Sequence, residues 1–176
     1  NTIASLRSYF LFVLLGFTNS GYLMAQSNEN SGNMLVHQIN SSEDNPRNSE
    51  GDFIELKDGR ILFVYSRFIG GSGSDHAPAQ LVGRYSADEG ISWTKDDQVI
   101  VDKEGDMNVM SVSLLRLKNG KIALVYARKN SLSDCIPQLR LSEDEGKTWT
   151  DPKAIIQDRR GYFVINNDRI VQLKSG

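Results

Sequence analysis

The sequence predicts an all-β propeller built from four-stranded blades. The first reason is an internal repeat: "IELKDGRILFVYSR" (residues 54–67) returns as "LRLKNGKIALVYAR" (residues 115–128), and "VQLKSG" (residues 171–176) opens a third copy. The second is spacing. The turn glycines Gly59, Gly120 and Gly176 lie 61 and 56 residues apart, and "SADEGISWT" (residues 86–94) recurs as "SEDEGKTWT" (residues 142–150) after the same 56 residues. The third reason is that no segment beyond the N-terminal apolar run sustains the helical period of about 3.6 residues. Units of roughly 40–60 residues with four short strands describe propeller blades; a solenoid has a shorter repeat, and a sandwich needs none.

The elements follow in chain order. Arg7 precedes the apolar run Tyr9 to Phe17, and small Ala25 closes the next stretch, which is the layout of a secretory signal peptide over residues 1–25. The run is about half of the roughly 20 residues that a membrane-spanning helix needs. A polar linker over residues 26–44 leads into the partial propeller, residues 45–176. Phe53, Ile54 and Leu56 feed the turn Lys57-Asp58-Gly59, whose glycine supplies positive φ. "RILFVYSR" is a nearly continuous apolar run, as a strand covered on both faces requires. Third strands ("QLVGRYS", "QLRLS") and fourth strands ("QVIVD", "AIIQD") flank the repeated motif. The chain is read as part of a longer protein, with about two and a half blades present.

In the motif, Ser and Asp side chains bond the backbone of their own turn, glycine permits a conformation that a Cβ opposes, and Trp93 and Trp149 offer apolar surface. Those are folding roles. The pattern S-x-D-x-G-x-x-W resembles the Asp-box, or bacterial neuraminidase repeat, of the sialidase (neuraminidase) superfamily, with copies at residues 86–93 and 142–149. The resemblance implies a sialidase-like β-propeller, six-bladed when complete, and an exo-acting glycoside hydrolase that removes terminal sialic acid or a related acidic sugar from glycans. The alternatives are a sialidase-fold glycosidase of other sugar specificity, and a carbohydrate-binding propeller without activity.

The resemblance also implies a site. Sialidases hold the substrate carboxylate with arginines, because a guanidinium meets a carboxylate through two parallel charge-assisted hydrogen bonds. Arg47, in "NPRNSEGDFIELKDG", corresponds to the first of them. The family's acid/base aspartate sits on the loop after the second strand of the first blade, where Asp75 is the only acidic residue between Arg67 and Asp88. Arg67 resembles the arginine that ends that strand and lines the pocket, although Arg128 repeats it. His76 adjoins Asp75, and Glu50 lies near Arg47; both are substrate-binding candidates, and Asn166, Asn167, Asp168 and Arg169 are rim candidates behind them. A surface pairing of Arg47 with Glu43, Asp44 or Glu50 and a purely architectural Asp75, echoed by Asp134, are the alternatives. The family's Tyr/Glu nucleophile belongs to later blades, and Tyr65 and Tyr126 sit in buried strands.

Composition excludes other classes. A net charge of −2, with 20 basic and 22 acidic residues interspersed, gives no phosphate-binding face, so neither nucleic acid nor a membrane surface is an expected partner. Cys135 is the only cysteine, which removes disulfides and thiolate metal clusters. No metal and no cofactor are expected; the expected partner is a glycan or glycoconjugate, the location secreted or periplasmic, and the oligomeric state is left open.

Overall fold

The structure is a computed structural model and describes residues 37–175. The signal-peptide segment, the first part of the linker and Gly176 lie outside the described residues. Two four-stranded antiparallel sheets hold almost all the regular structure, and no helix occurs among the described residues. The first comprises β1 (Asn48–Glu55), β2 (Ile61–Phe68), β3 (Ala79–Ser86) and β4 (Gln98–Val101). The second comprises β5 (Asn108–Arg116), β6 (Ile122–Lys129), β7 (Cys135–Ser142) and β8 (Lys153–Ala154). Each runs in simple sequential order, as a propeller blade does.

The hairpins explain the repeated glycines. Gly59 N donates to Leu56 O and Leu56 N to Arg60 O, with Gly59 at φ +83°, and Gly120 repeats the geometry at +84°. Only the glycine is left-handed, so each is a three-residue loop with a glycine bulge rather than a two-residue Asn-Gly type turn. Asp58 and Asn119 complete the loops by accepting from the N–H two residues on.

The sheets pack face to face. Leu62 and Val64 of β2 and Leu81 of β3 meet Val112, Leu114, Ile122, Leu124 and Tyr126 of the second sheet in one apolar core. Asp52 adds a polar tie: its buried carboxylate accepts from Leu114 N at 2.7 Å, joining β1 to β5, and burial raises its pKa. On the opposite face of the first sheet Phe53, Phe63, Tyr65 and Trp93 form a chain of ring contacts, with Phe53 and Phe63 stacked at 4.3 Å. Phe53 stays 56% exposed there, so burial of the return strand on both faces, expected from its composition, is fuller in β6 than in β2.

Two further expectations change. The fourth strand expected at "AIIQD" shrinks to Lys153–Ala154. Ile155 N donates to Pro137 O, but proline has no N–H to return, so the ladder stops there. The third copy does not form a sheet among the described residues. Its opening instead follows β5, with Asp168 N donating to Val112 O and Lys118 holding the carbonyls of Leu173 and Lys174.

Candidate functional site

Strand register separates the repeated motif from the predicted site. Ile61 pairs with Ser86 at one end of β2, and Phe68 pairs with Ala79 at the other. Eight residues at about 3.3 Å each put the two ends roughly 23 Å apart. Asp75 lies beyond the Phe68 end, and the motif lies beyond the Ser86 end.

The motif consumes its own polar groups. Ser86 Oγ accepts from Gly90 N at 2.8 Å and donates to Asp88 Oδ1, while Asp88 accepts from Ser92 N and Ser92 Oγ. Trp93 Nε1 closes the loop on Gly90 O. Residues 142–149 repeat every one of these bonds, and the hydroxyl and N–H of Thr148 lower the Asp144 carboxyl to about 2. A carboxylate that accepts three hydrogen bonds from its own turn is a turn brace.

At the other end the structure joins Arg47 to Asp75. Arg47 precedes β1, its main-chain carbonyl accepts from Phe68 N, and its guanidinium lies 4.6 Å over the Phe68 ring. From there Nη1 reaches Asp75 Oδ1 at 2.5 Å and Gly73 O at 3.1 Å. Gly73 lets the arginine lie close, since a Cβ there would stand 3.3 Å from that of Arg47. The Arg47 hydrogen bond, and then its charge, hold Asp75 below the usual carboxylate range. The pairing expected with Glu43, Asp44 or Glu50 as an alternative is absent from the ion pairs of the described residues.

The loop carrying Asp75 is fastened from the second sheet. Asn108, buried at the start of β5, donates to both Asp75 O and Ala77 O at 2.9 Å, and Lys129, at the end of β6, donates to Asp75 O at 2.9 Å. Phe68, Ala77 and Ala79 form a small apolar base under the loop. The main chain is thereby fixed while the carboxylate remains 64% exposed.

A cavity of about 150 Å³ beside this loop is lined by Asp75, Glu50, Ser111, Lys129 and Tyr162 among others. Glu50 and Ser111 hold the same position in the two repeats and share an unusual backbone, at φ +43° and +62°. Left-handed non-glycine residues cost about 1 kcal/mol or more, and each sits at a break in its strand's register. Ser111 Oγ donates to Glu50 Oε2 at 3.3 Å.

The other predicted residues fall differently. Arg67 turns to Asp97, 3.4 Å away, which also receives Arg84 Nε and the Tyr65 hydroxyl at 2.7 Å each. That cluster lies outside the Asp75 cavity. His76 is exposed beside Asp75, its N–H donating to Ser74 Oγ. Tyr65 and Tyr126 are buried, and burial plus a hydrogen-bonded carboxylate push both phenols far up, which unsuits them for nucleophilic work. Asn167 reaches Gly51 O and Arg169 N reaches Ser113 Oγ, so the rim candidates border β1 and β5, and Asn166 also lines the cavity. Asp134, the echo of Asp75, instead caps its own loop through Asn130. Among the described residues no cluster of three or more metal-ligating side chains occurs, and no helix is long and apolar enough to cross a membrane.

Asn108 and Lys129 escaped the sequence reading. Their signal was a break in the repeat: Asn108 stands where the first unit has Arg47, and Lys129 where it has buried Phe68.

No family model and no curated protein matches the chain. Solved structures do. A protein of unknown function from Dyadobacter fermentans superposes with a TM-score of 0.56 at 21% identity, over 65% of this chain and 38% of its own. A Hadza microbial sialidase, Hz136, superposes with a TM-score of 0.52 at 15% identity, over 64% of this chain and 26% of its own. What they share with this chain is the fold. This chain thus spans well under half the length of either, and a sialidase-like all-β fold is the level at which the likeness holds.

Proposed function

We propose that this chain belongs to a secreted or periplasmic exo-acting glycoside hydrolase of sialidase type, with a six-bladed propeller, that removes a terminal acidic sugar from glycans. The observation that carries the reading is Asp75: an exposed carboxylate on a rigidly held main chain, touching a cation, at the end of the sheets opposite the repeated motif. An acid/base catalyst needs a fixed position and a proton affinity that substrate can change. The Arg47 pair supplies the second property. A sugar carboxylate that takes over the Arg47 guanidinium frees Asp75, whose proton affinity then rises toward the ordinary carboxylate value, readying it to protonate the leaving oxygen. Once the glycosidic bond has broken, the same carboxylate accepts a proton from the incoming water. An anionic centre repels a carboxylate nucleophile, which is why sialidases depart from the two-carboxylate scheme by using tyrosine.

The test is Asp75→Asn in the full-length protein, assayed with an aryl sialoside. Positioned acid/base groups contribute about 10²- to 10⁴-fold to rate, so turnover should fall by that range while the thermal midpoint stays put, the side chain being exposed. Unchanged turnover would sink the assignment. Activity only on neutral glycosides would favour the reading with another sugar specificity.

A further inference from the structure

Lys129 is the one cation of the site that the sialidase resemblance did not anticipate. It is only 3% exposed, it lines the same cavity as Asp75 and Glu50, and no carboxylate lies within ion-pair distance of it among the described residues. A buried ammonium without a counter-charge is costly unless other groups satisfy it. Two do so in part. Asp75 O accepts one of its three N–H donors at 2.9 Å, and the Tyr162 ring lies 5.5 Å from Nζ, near enough for a cation–π attraction. Neither carries a full negative charge. Glu50 shares the cavity, yet its carboxylate accepts from Ser111 rather than from the lysine.

Arg47 is placed oppositely. Its guanidinium is engaged by Asp75, so in the unliganded protein an arriving anion meets competition there. The two cations approach Asp75 from different sides, Arg47 at the side-chain carboxylate and Lys129 at the main-chain carbonyl. Lys129 lines the cavity beside Asp75 and Arg47 does not, so an anionic group entering there meets the lysine.

We infer that Lys129 is a specificity-determining residue of the site: from the second sheet it meets the carboxylate of the acidic sugar in the cavity beside Asp75. This rests on the acidic-sugar reading above and adds a residue to it. The lysine ammonium is a compact point charge with donors to spare beyond the one given to Asp75 O, so it can meet a carboxylate oxygen. It also explains why a strand position that holds an apolar phenylalanine in the first repeat holds a cation in the second.

The experiment compares binding of a non-hydrolysable thiosialoside with that of its methyl ester, by calorimetry on the full-length protein. A hydrogen bond to a charged group contributes enough that Lys129→Met should weaken the free acid about ten- to a hundredfold, with the ester changed by less than about twofold on the same reasoning. Lys129→Arg should restore most of the loss. Should Lys129→Met not fold, Lys129→Gln keeps a donor for the Asp75 carbonyl without the charge, and the same comparison applies. Equal weakening of acid and ester means that Lys129 only holds the loop, and overturns the inference. Unweakened binding of the acid overturns it as well, and leaves the proposed function standing. A native protein that binds acid and ester alike overturns both.

Discussion

Replacing Glu145 with glutamine tests whether the second motif is a seam between the sheets. Glu145 and Gly146 take successive left-handed conformations, φ +62° and +81°, which turn the carboxylate back toward the first sheet. There Arg116 Nη1 donates to Oε1 at 2.9 Å and Nη2 to Oε2 at 2.7 Å, while Lys57 N donates to Oε2 at 2.9 Å. Arg116 also holds Glu55 O, so one guanidinium gathers both sheets. Arg116 above all, and then Lys57, lower the Glu145 carboxyl to about 2. Fully exposed pairs contribute only about 0.2–1 kcal/mol, whereas bidentate charge-assisted bonds are stronger. The Glu145 side chain is 18% exposed, so the larger value applies after some screening. Glu145→Gln should then cost about 1–2 kcal/mol at neutral pH. Because the folded carboxyl titrates below its ordinary value of 4.5, its contribution is present above that pH and is lost as pH falls toward about 2. Urea unfolding of the full-length protein and the variant at several pH values reads both quantities. The gap between them should narrow on acidification, since a protonated glutamate resembles glutamine. A gap below about 0.3 kcal/mol at neutral pH, smaller than even weak exposed pairs, or one that persists unchanged into acid, refutes the seam.

Two other outcomes follow from the same geometry. Leu124 is fully buried in the core between the sheets, so Leu124→Ala should cost about 2–5 kcal/mol in the same unfolding experiment; a loss under about 1 kcal/mol would mean that the sheets do not pack as described. Arg47→Gln removes the main cause of the low Asp75 proton affinity, so the limb of the kcat/KM profile that belongs to Asp75 should move to higher pH. A limb that stays in place would separate Arg47 from the acid/base group.

Much of the scaffold was legible because its signals are local. A glycine at a hairpin, a serine and aspartate in one turn and an apolar return strand all act within ten residues of themselves, and Gly59, Gly120, Ser86 and Ser142 stand where the repeat put them. Proximity of Arg47 and Asp75 was implied by the family resemblance, but their direct pairing was not. Other features escaped because their partners are distant. Arg67 was expected at the pocket, yet Asp97, from the connection between β3 and β4, draws it into a cluster with Arg84 and Tyr65. The bulges at Glu50 and Ser111 leave no mark on a period of two, since one added residue reads as ordinary strand until register is known. Pro137 was visible, but its effect depends on which neighbour its missing N–H faces.

The repeat is also informative where it fails. Where the two units agree, the shared residue supports the fold: Tyr65 and Tyr126 both donate to a carboxylate beside an arginine, and both motif tryptophans close on a glycine carbonyl. Where they disagree at the Asp75 end, the difference is chemical. Arg47 answers to Asn108 and Phe68 to Lys129, and each member of both pairs bears on the Asp75 loop, through its side chain, its main chain or the apolar base beneath it. The exchange of a buried phenylalanine for an ammonium brings a charge that needs partners, and Asp75 O and the Tyr162 ring supply them in part. Two copies of one unit have thus diverged on opposite sides of a single carboxylate, one to pair with it and the other to hold it in place. On the proposed function, the chemistry belongs to the junction between the sheets rather than to either repeat.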